Sequence, residues 1–270
     1  MIYSIYKLFT MNLPQIKFQD DTLTFGGIIG ISWDLFTQNF REIITILAIV
    51  YIPVDTLLFF LNNSPEISLK EYIRILGYLE QFIGIIATLA IVVLITRKIE
   101  KQTISIKQSL EIAIKSWGKV VLANFITGIM IGLLTLLLIV PGVIYGTYWS
   151  FITYIILFFG VDGEKARNHS KSLIMGRWWK TFSILLGLFL TPLILGFAIS
   201  FVYYLVLGLY IVDFDTLSFT GNFIIDMISN FMIDIIGGYF TLCTFILFVA
   251  YQSFYGEGTK EKTPHPSEDN

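Results

Sequence analysis

Histidine and cysteine are almost missing from this chain. The two histidines, His169 and His265, are far apart, and Cys243 is the one cysteine. An internal disulfide framework is thereby excluded, and no His-based metal cluster or His-assisted nucleophile can be assembled. Charge is scarce as well: Asp, Glu, Lys and Arg make up 14% of the residues, against ~25% in soluble domains, while hydrophobic residues reach 55%. A chain with so little to offer water belongs in a bilayer. No phosphate-binding loop is present, because Gly26, Gly27 and Gly30 follow no strand pattern and precede no Lys-Ser/Thr pair. Catalytic, cofactor and metal sites are therefore all expected to be none, and the protein is expected not to be an enzyme.

What is present is a series of long uncharged runs. A hydrocarbon core is roughly 30 Å thick and a helix rises about 1.5 Å per residue, so about 20 apolar residues cross it. The runs predict an all-α polytopic bundle with six spans near residues 43–61, 75–96, 120–140, 142–161, 181–212 and 223–255. Together they form a membrane domain over 25–255, preceded by an N-terminal segment, 1–24, and followed by a Pro-, Glu- and Lys-rich tail, 256–270, of disordered composition. The first ten residues lack the layout of a signal peptide, and Met1 and Met11 are both candidate starts. The 32 uncharged residues from Thr181 to Val212 exceed one crossing, which predicts tilt, protrusion, or a kink near Pro192.

Charge asymmetry orients the spans. With both termini in the cytoplasm, sixteen of the eighteen Lys and Arg lie inside and only Lys70 and Arg74 outside. Within the inner segments a pattern recurs before spans one, three and five: an amphipathic stretch ending in an aromatic residue beside a cation. These are Phe40-Arg41, Trp117-Gly118-Lys119 and Trp178-Trp179-Lys180. Aromatic rings favour the headgroup level and Lys or Arg can snorkel to phosphate, so each unit reads as an elbow that lies flat and then turns inward. Arg41, Trp117, Lys119, Lys165, Arg167, Lys171, Arg177, Trp178, Trp179 and Lys180 are the candidate contacts for anionic headgroups or for a membrane or cytoplasmic protein partner. Ordinary interfacial anchoring accounts for the same pattern. Nucleic acid is not an expected partner, because the basic residues adjoin membrane spans.

One stretch carries a resemblance. Pro141-Gly142, Tyr145, Trp149-Ser150, Glu164-Lys165-Ala166, Ser170, Leu173, Gly176-Arg177-Trp178-Trp179 and Phe182 resemble the membrane domain of the bacterial glycerophosphoryl diester phosphodiesterase family. The resemblance implies a roughly six-span helical domain in a bacterial plasma membrane and supplies no active site. Members of that family place their chemistry in a separate soluble domain, and the fifteen residues after the last span leave this chain as a stand-alone relative without it.

Two further features bear on packing and on transport. Gly128-x-x-x-Gly132 and Gly142-x-x-x-Gly146 are small-xxx-small patterns that allow close helix approach, expected here within one chain. Asp55, Glu80, Asp226 and Asp234 lie inside or beside spans, where a carboxylate costs about 2.5 to 3.5 kcal/mol at mid-membrane. Converging on one cavity, they would form an ion or proton site, and with Pro53 and Pro192 as helix breaks they make a transporter or channel-like subunit the alternative function. Placed in the outer halves of their spans, the same acids simply reach water. The leading expectation is a non-enzymatic integral membrane protein that organises lipids or partners at the cytoplasmic leaflet.

Overall fold

The computed structural model describes residues 23–63, 68–210 and 219–256. The candidate starts, the N-terminal segment up to residue 22 and the tail from residue 257 lie outside the described residues, as does the side chain of Glu80. Among the described residues there are nine helices and no strand: α1 (Phe25–Gln38), α2 (Phe40–Asn62), α3 (Leu69–Ile99), α4 (Ile106–Leu137), α5 (Ile139–Tyr148), α6 (Ile152–Phe159), α7 (Gly163–Ile174), α8 (Trp178–Tyr210) and α9 (Phe219–Tyr255). Six helical segments are long and apolar enough to cross a membrane: Phe40–Asn62, Phe82–Ile99, Ile106–Leu137, Ile139–Phe159, Trp178–Ile199 and Thr220–Tyr255. The protein is an all-α, multi-pass membrane protein.

Local signals start the helices. The Thr24 hydroxyl accepts the Gly27 N–H at 3.1 Å and opens α1. Ser68 with Glu71 and Ser105 with Gln108 form capping boxes that open α3 and α4, each satisfying backbone donors that a helix start leaves exposed. Glycine enters where the backbone turns left-handed: Gly160 (φ +62°) ends α6, and Gly176 (φ +82°) joins α7 to α8, a conformation that costs glycine no Cβ clash.

Burial divides the helices into a core pair and lipid-exposed ones. Ala87 to Ile95 of α3 is buried at every position but Thr88, and Leu242 to Tyr251 of α9 at every position but Thr244. α2 runs antiparallel to α9, with Leu47 against Gly238, Thr56 Oγ1 3.8 Å from Met227 Sδ, and the Phe59 and Phe223 rings 5.0 Å apart. α1 is drawn onto the same helix: Ile28, Ser32 and Phe36 are buried, and the Tyr239 hydroxyl donates to the Ile29 carbonyl at 2.9 Å. Trp33 and Phe40 remain exposed. By contrast the distal half of α4 and most of α8 show large apolar side chains outward, Leu136 and Phe197 among them.

Three details differ from the sequence expectations. The amphipathic segment before the third span does not turn at Trp117: α4 continues unbroken from Ile106 to Leu137, since no proline interrupts it and nothing stands near enough to Gly118 to demand a bend. The Trp117 indole N–H instead donates to the Phe82 carbonyl of α3 at 2.6 Å. Pro53 and Pro192 do not break their helices; α2 and α8 pass through them. The broken span is the fourth, which is interrupted between Tyr148 of α5 and Ile152 of α6.

Of the four glycines in the two small-xxx-small patterns, Gly142 alone makes a close approach. A Cβ at Gly142 would run into the Thr135 side chain and stand 3.0 Å from its Cα, whereas one at Gly146 would meet Ile131 methyls at 4.0 Å, and Gly128 and Gly132 have nothing within 4 Å. Gly142→Ala should therefore destabilise the α4–α5 hairpin by about 1–3 kcal/mol, while Gly146→Ala should stay within about 0.5 kcal/mol of the parent. Thermal unfolding of the two variants in one detergent compares them; equal melting would disprove the contact.

Candidate functional site

The break in the fourth span is where the basic corner is built. When α5 stops at Tyr148 and α6 starts at Ile152, backbone groups between them lose their helical partners, and in an apolar surrounding each unmet group costs several kcal/mol. Ser170 of α7 supplies them. Its hydroxyl donates to the Tyr148 carbonyl at 2.7 Å and accepts the Phe151 N–H at 3.2 Å. α7 reaches the break because Ala166, Ser170 and Leu173 recur on one face, all three wholly buried. Its first turn is set by Asp162, whose carboxylate accepts the Lys165 N–H at 2.9 Å, and that hydrogen bond holds the Asp162 carboxyl below the usual aspartate range.

With the buried face pinned, the half-buried flank of α7 beside it and the start of α8 present cations against rings. The Arg167 guanidinium lies 6.0 Å from the Trp149 ring centroid, and the Lys171 ammonium 5.7 Å and 5.8 Å from those of Tyr145 and Tyr148. Arg177 sits on Tyr255 of α9, with Cζ 3.4 Å from the ring centroid. Trp178 donates its indole N–H to the Ile144 carbonyl at 3.2 Å and stacks on Phe182 at 5.0 Å. Trp179 and Lys180 are exposed beside it. Among the described residues the ion pairs are Arg97–Glu100, Lys98–Glu42 and Lys165–Asp162. Arg167, Lys171, Arg177 and Lys180 consequently have no carboxylate partner among the described residues.

No family model matches the chain, and no curated protein or solved structure does. Within residues 141–182 several side chains meet in space. Ser170 bridges the break beside Trp149, Tyr145 takes Lys171, and Gly176 turns the chain into Arg177 and Trp178.

The other candidate residues with described side chains lie on α2, α4 and α9. Arg41 is exposed in the first turn of α2, and Trp117 is engaged with α3. Lys119 is exposed one turn before Ala123, whose methyl lies 3.1 Å from where a Gly163 Cβ would stand, and so flanks the start of α7. Of the acids, Asp55 is buried within α2, Asp234 is half-buried and Asp226 exposed on α9. No three His, Cys, Asp or Glu side chains come together among the described residues. His169 has its Nε2 2.8 Å from Gln252 Oε1 of α9 and its ring 5.1 Å from Phe159. Gln252, Tyr255 and Tyr148 were not recognisable as parts of this corner; only the i, i+3 spacing of Tyr145 and Tyr148 beside a basic segment hinted at them.

Ser170→Ala leaves the buried Phe151 N–H and Tyr148 carbonyl unmet and should cost about 1–3 kcal/mol, read by thermal unfolding; Ser172→Ala, on the exposed side, is the control and should melt like the parent. For Asp162 the folded carboxyl titrates below its unfolded value, so its contribution is present above the ordinary aspartate range and is lost as pH falls through the lowered one. Asp162→Asn should remove that acid-side dependence in a melting-versus-pH series.

Proposed function

We propose that this chain is a non-enzymatic membrane protein whose α7–α8 corner holds anionic headgroups of the cytoplasmic leaflet. The observation that carries the reading is the combination at that corner: Arg167, Lys171 and Arg177 are held against aromatic rings, and no carboxylate among the described residues neutralises them. A cation on a ring keeps its charge and its donors, and each Lys or Arg near an anionic surface contributes about 1 kcal/mol. Trp178 and Trp179 supply the aromatic belt that sets the depth of such a corner. In this reading both termini are cytoplasmic, which the distribution of Lys and Arg supports, and the membrane is a bacterial plasma membrane, as the resemblance to the phosphodiesterase membrane domain implies.

The reading predicts a measurable lipid preference. In nanodiscs that mix phosphatidylglycerol with phosphatidylcholine, the purified protein should retain phosphatidylglycerol above its bulk fraction. Replacing Lys171, Arg177 and Lys180 together by Gln should weaken that enrichment by about 1 kcal/mol per charge, and raised salt should weaken it in the parent. Retained-lipid analysis that finds the triple variant equal to the parent would refute headgroup recognition and turn attention to a protein partner at the same corner.

A further inference from the structure

Beside the basic corner an apolar groove of about 450 Å³ runs between α5 and the first turns of α8. Val140, Val143 and Tyr148 form one wall and Trp178, Trp179 and Phe182 the other. We propose that this groove seats one acyl chain of a glycerophospholipid whose anionic headgroup is held by Lys171 and Lys180; the headgroup half of the proposal rests on the function proposed above.

Shape and chemistry both point to a chain rather than a compact ligand. The volume falls in the range of small-ligand sites, and its lining runs about 14 Å along α5, from Ile139 to Tyr148. The Trp178 indole N–H is already used, by the Ile144 carbonyl, so the polar groups left on an otherwise apolar lining are the Trp179 indole N–H and the Tyr148 hydroxyl. Cations border the lining. Lys171 stands over Tyr148, a wall residue whose hydroxyl has no partner among the described residues, and Lys180 follows Trp179. A chain with a negative group at one terminus matches this arrangement.

The same charges disfavour the other natural occupant, a second copy of the protein. In a two-fold contact each surface meets itself, so this face would bring Lys171 and Lys180 toward their own counterparts without a carboxylate among the described residues to separate them. Val140, Val143 and Trp179 remain exposed, open to a lipid arriving from the side.

Fluorescence of the groove tryptophans tests the assignment. Nanodiscs of phosphatidylcholine with a minor fraction of phosphatidylglycerol are prepared with bromine at mid-chain on one lipid or the other, at equal mole fraction. Bromine quenches indoles it touches, and the Trp179 contribution is the difference between the parent and Trp179→Phe. Brominated phosphatidylglycerol should be the stronger quencher of that component, by about fivefold in apparent affinity per cation. Val143→Phe fills the groove and should abolish the excess; Val140→Phe, at a more exposed wall position, should do the same if the first variant fails to fold. Lys171→Gln should lower the preference about fivefold while phosphatidylcholine quenching persists. Equal quenching by the two lipids, or an excess that survives both groove-filling variants, would overturn the proposal. If the excess survives while the Gln triple variant still loses phosphatidylglycerol, the groove is wrong and headgroup recognition stands; if quenching is lost on filling but shows no anionic preference, headgroup recognition is the part that fails.

Discussion

A span that breaks inside an apolar surrounding must find partners for the backbone groups it frees, and one hydroxyl meets that demand here. Ser170 touches both sides of the break, Tyr148 and Phe151, so the position and rotation of α7 are tied to the fourth span. With Ala166, Ser170 and Leu173 committed inward, Arg167 and Lys171 have to face the rings of α5 and the residues that follow it. The turn at Gly176 then carries Arg177 to Tyr255 and Trp178 to Ile144. The basic corner thus descends from a backbone requirement in the bilayer, and its cations are arranged by packing before any ligand arrives.

Apolar composition answers to two different surroundings in this protein. The distal half of α4 and much of α8 are apolar and exposed, as a lipid-facing helix must be. Ala87 to Ile95 of α3 is equally apolar and almost wholly enclosed by protein. The first half of α4 explains the difference. Its exposed face carries Lys107, Glu111, Lys115 and Lys119 at four-residue intervals, a row that hydrocarbon would penalise by a few kcal/mol per charge. That row belongs in water or among headgroups, yet the same helix lies along α3, with Trp117 bonded at Phe82. The enclosed part of α3 runs beside this wet half, shielded by its neighbours.

These two surroundings set what could be read from the chain. Six apolar runs and the segregation of charge made the multi-pass helical fold legible, and the Ser105–Gln108 capping box marks the start of α4. Whether the Ser105–Trp117 stretch turned at the membrane or ran on into the span was not legible, because Gly118 permits a bend without requiring one. Prolines misled in the opposite direction: Pro53 and Pro192 are the local breakers, but the neighbouring turns of α2 and α8 stay helical around them. The real break at residues 149–151 carries no breaker residue; it exists because α7, from later in the chain, satisfies it. Arg177 against Tyr255 and His169 against Gln252 join residues about eighty positions apart, beyond any spacing rule.

The manner in which the cations are held bears on what the corner can bind. A carboxylate partner would fix a guanidinium or ammonium and also cancel its field, leaving little for a ligand. A ring fixes it by a quadrupole, at about 0.5–1 kcal/mol when exposed, and leaves the charge and the donors free. Arg167, Lys171 and Arg177 are held in this second way, so lateral freedom is already reduced in the unliganded protein and less entropy is lost on binding. Screening by salt acts within about 8 Å at physiological ionic strength, which favours a ligand that reaches the cations directly. In the function proposed above, a lipid phosphate meets that condition from within the leaflet itself, with Trp178 and Trp179 as the aromatic belt of the corner.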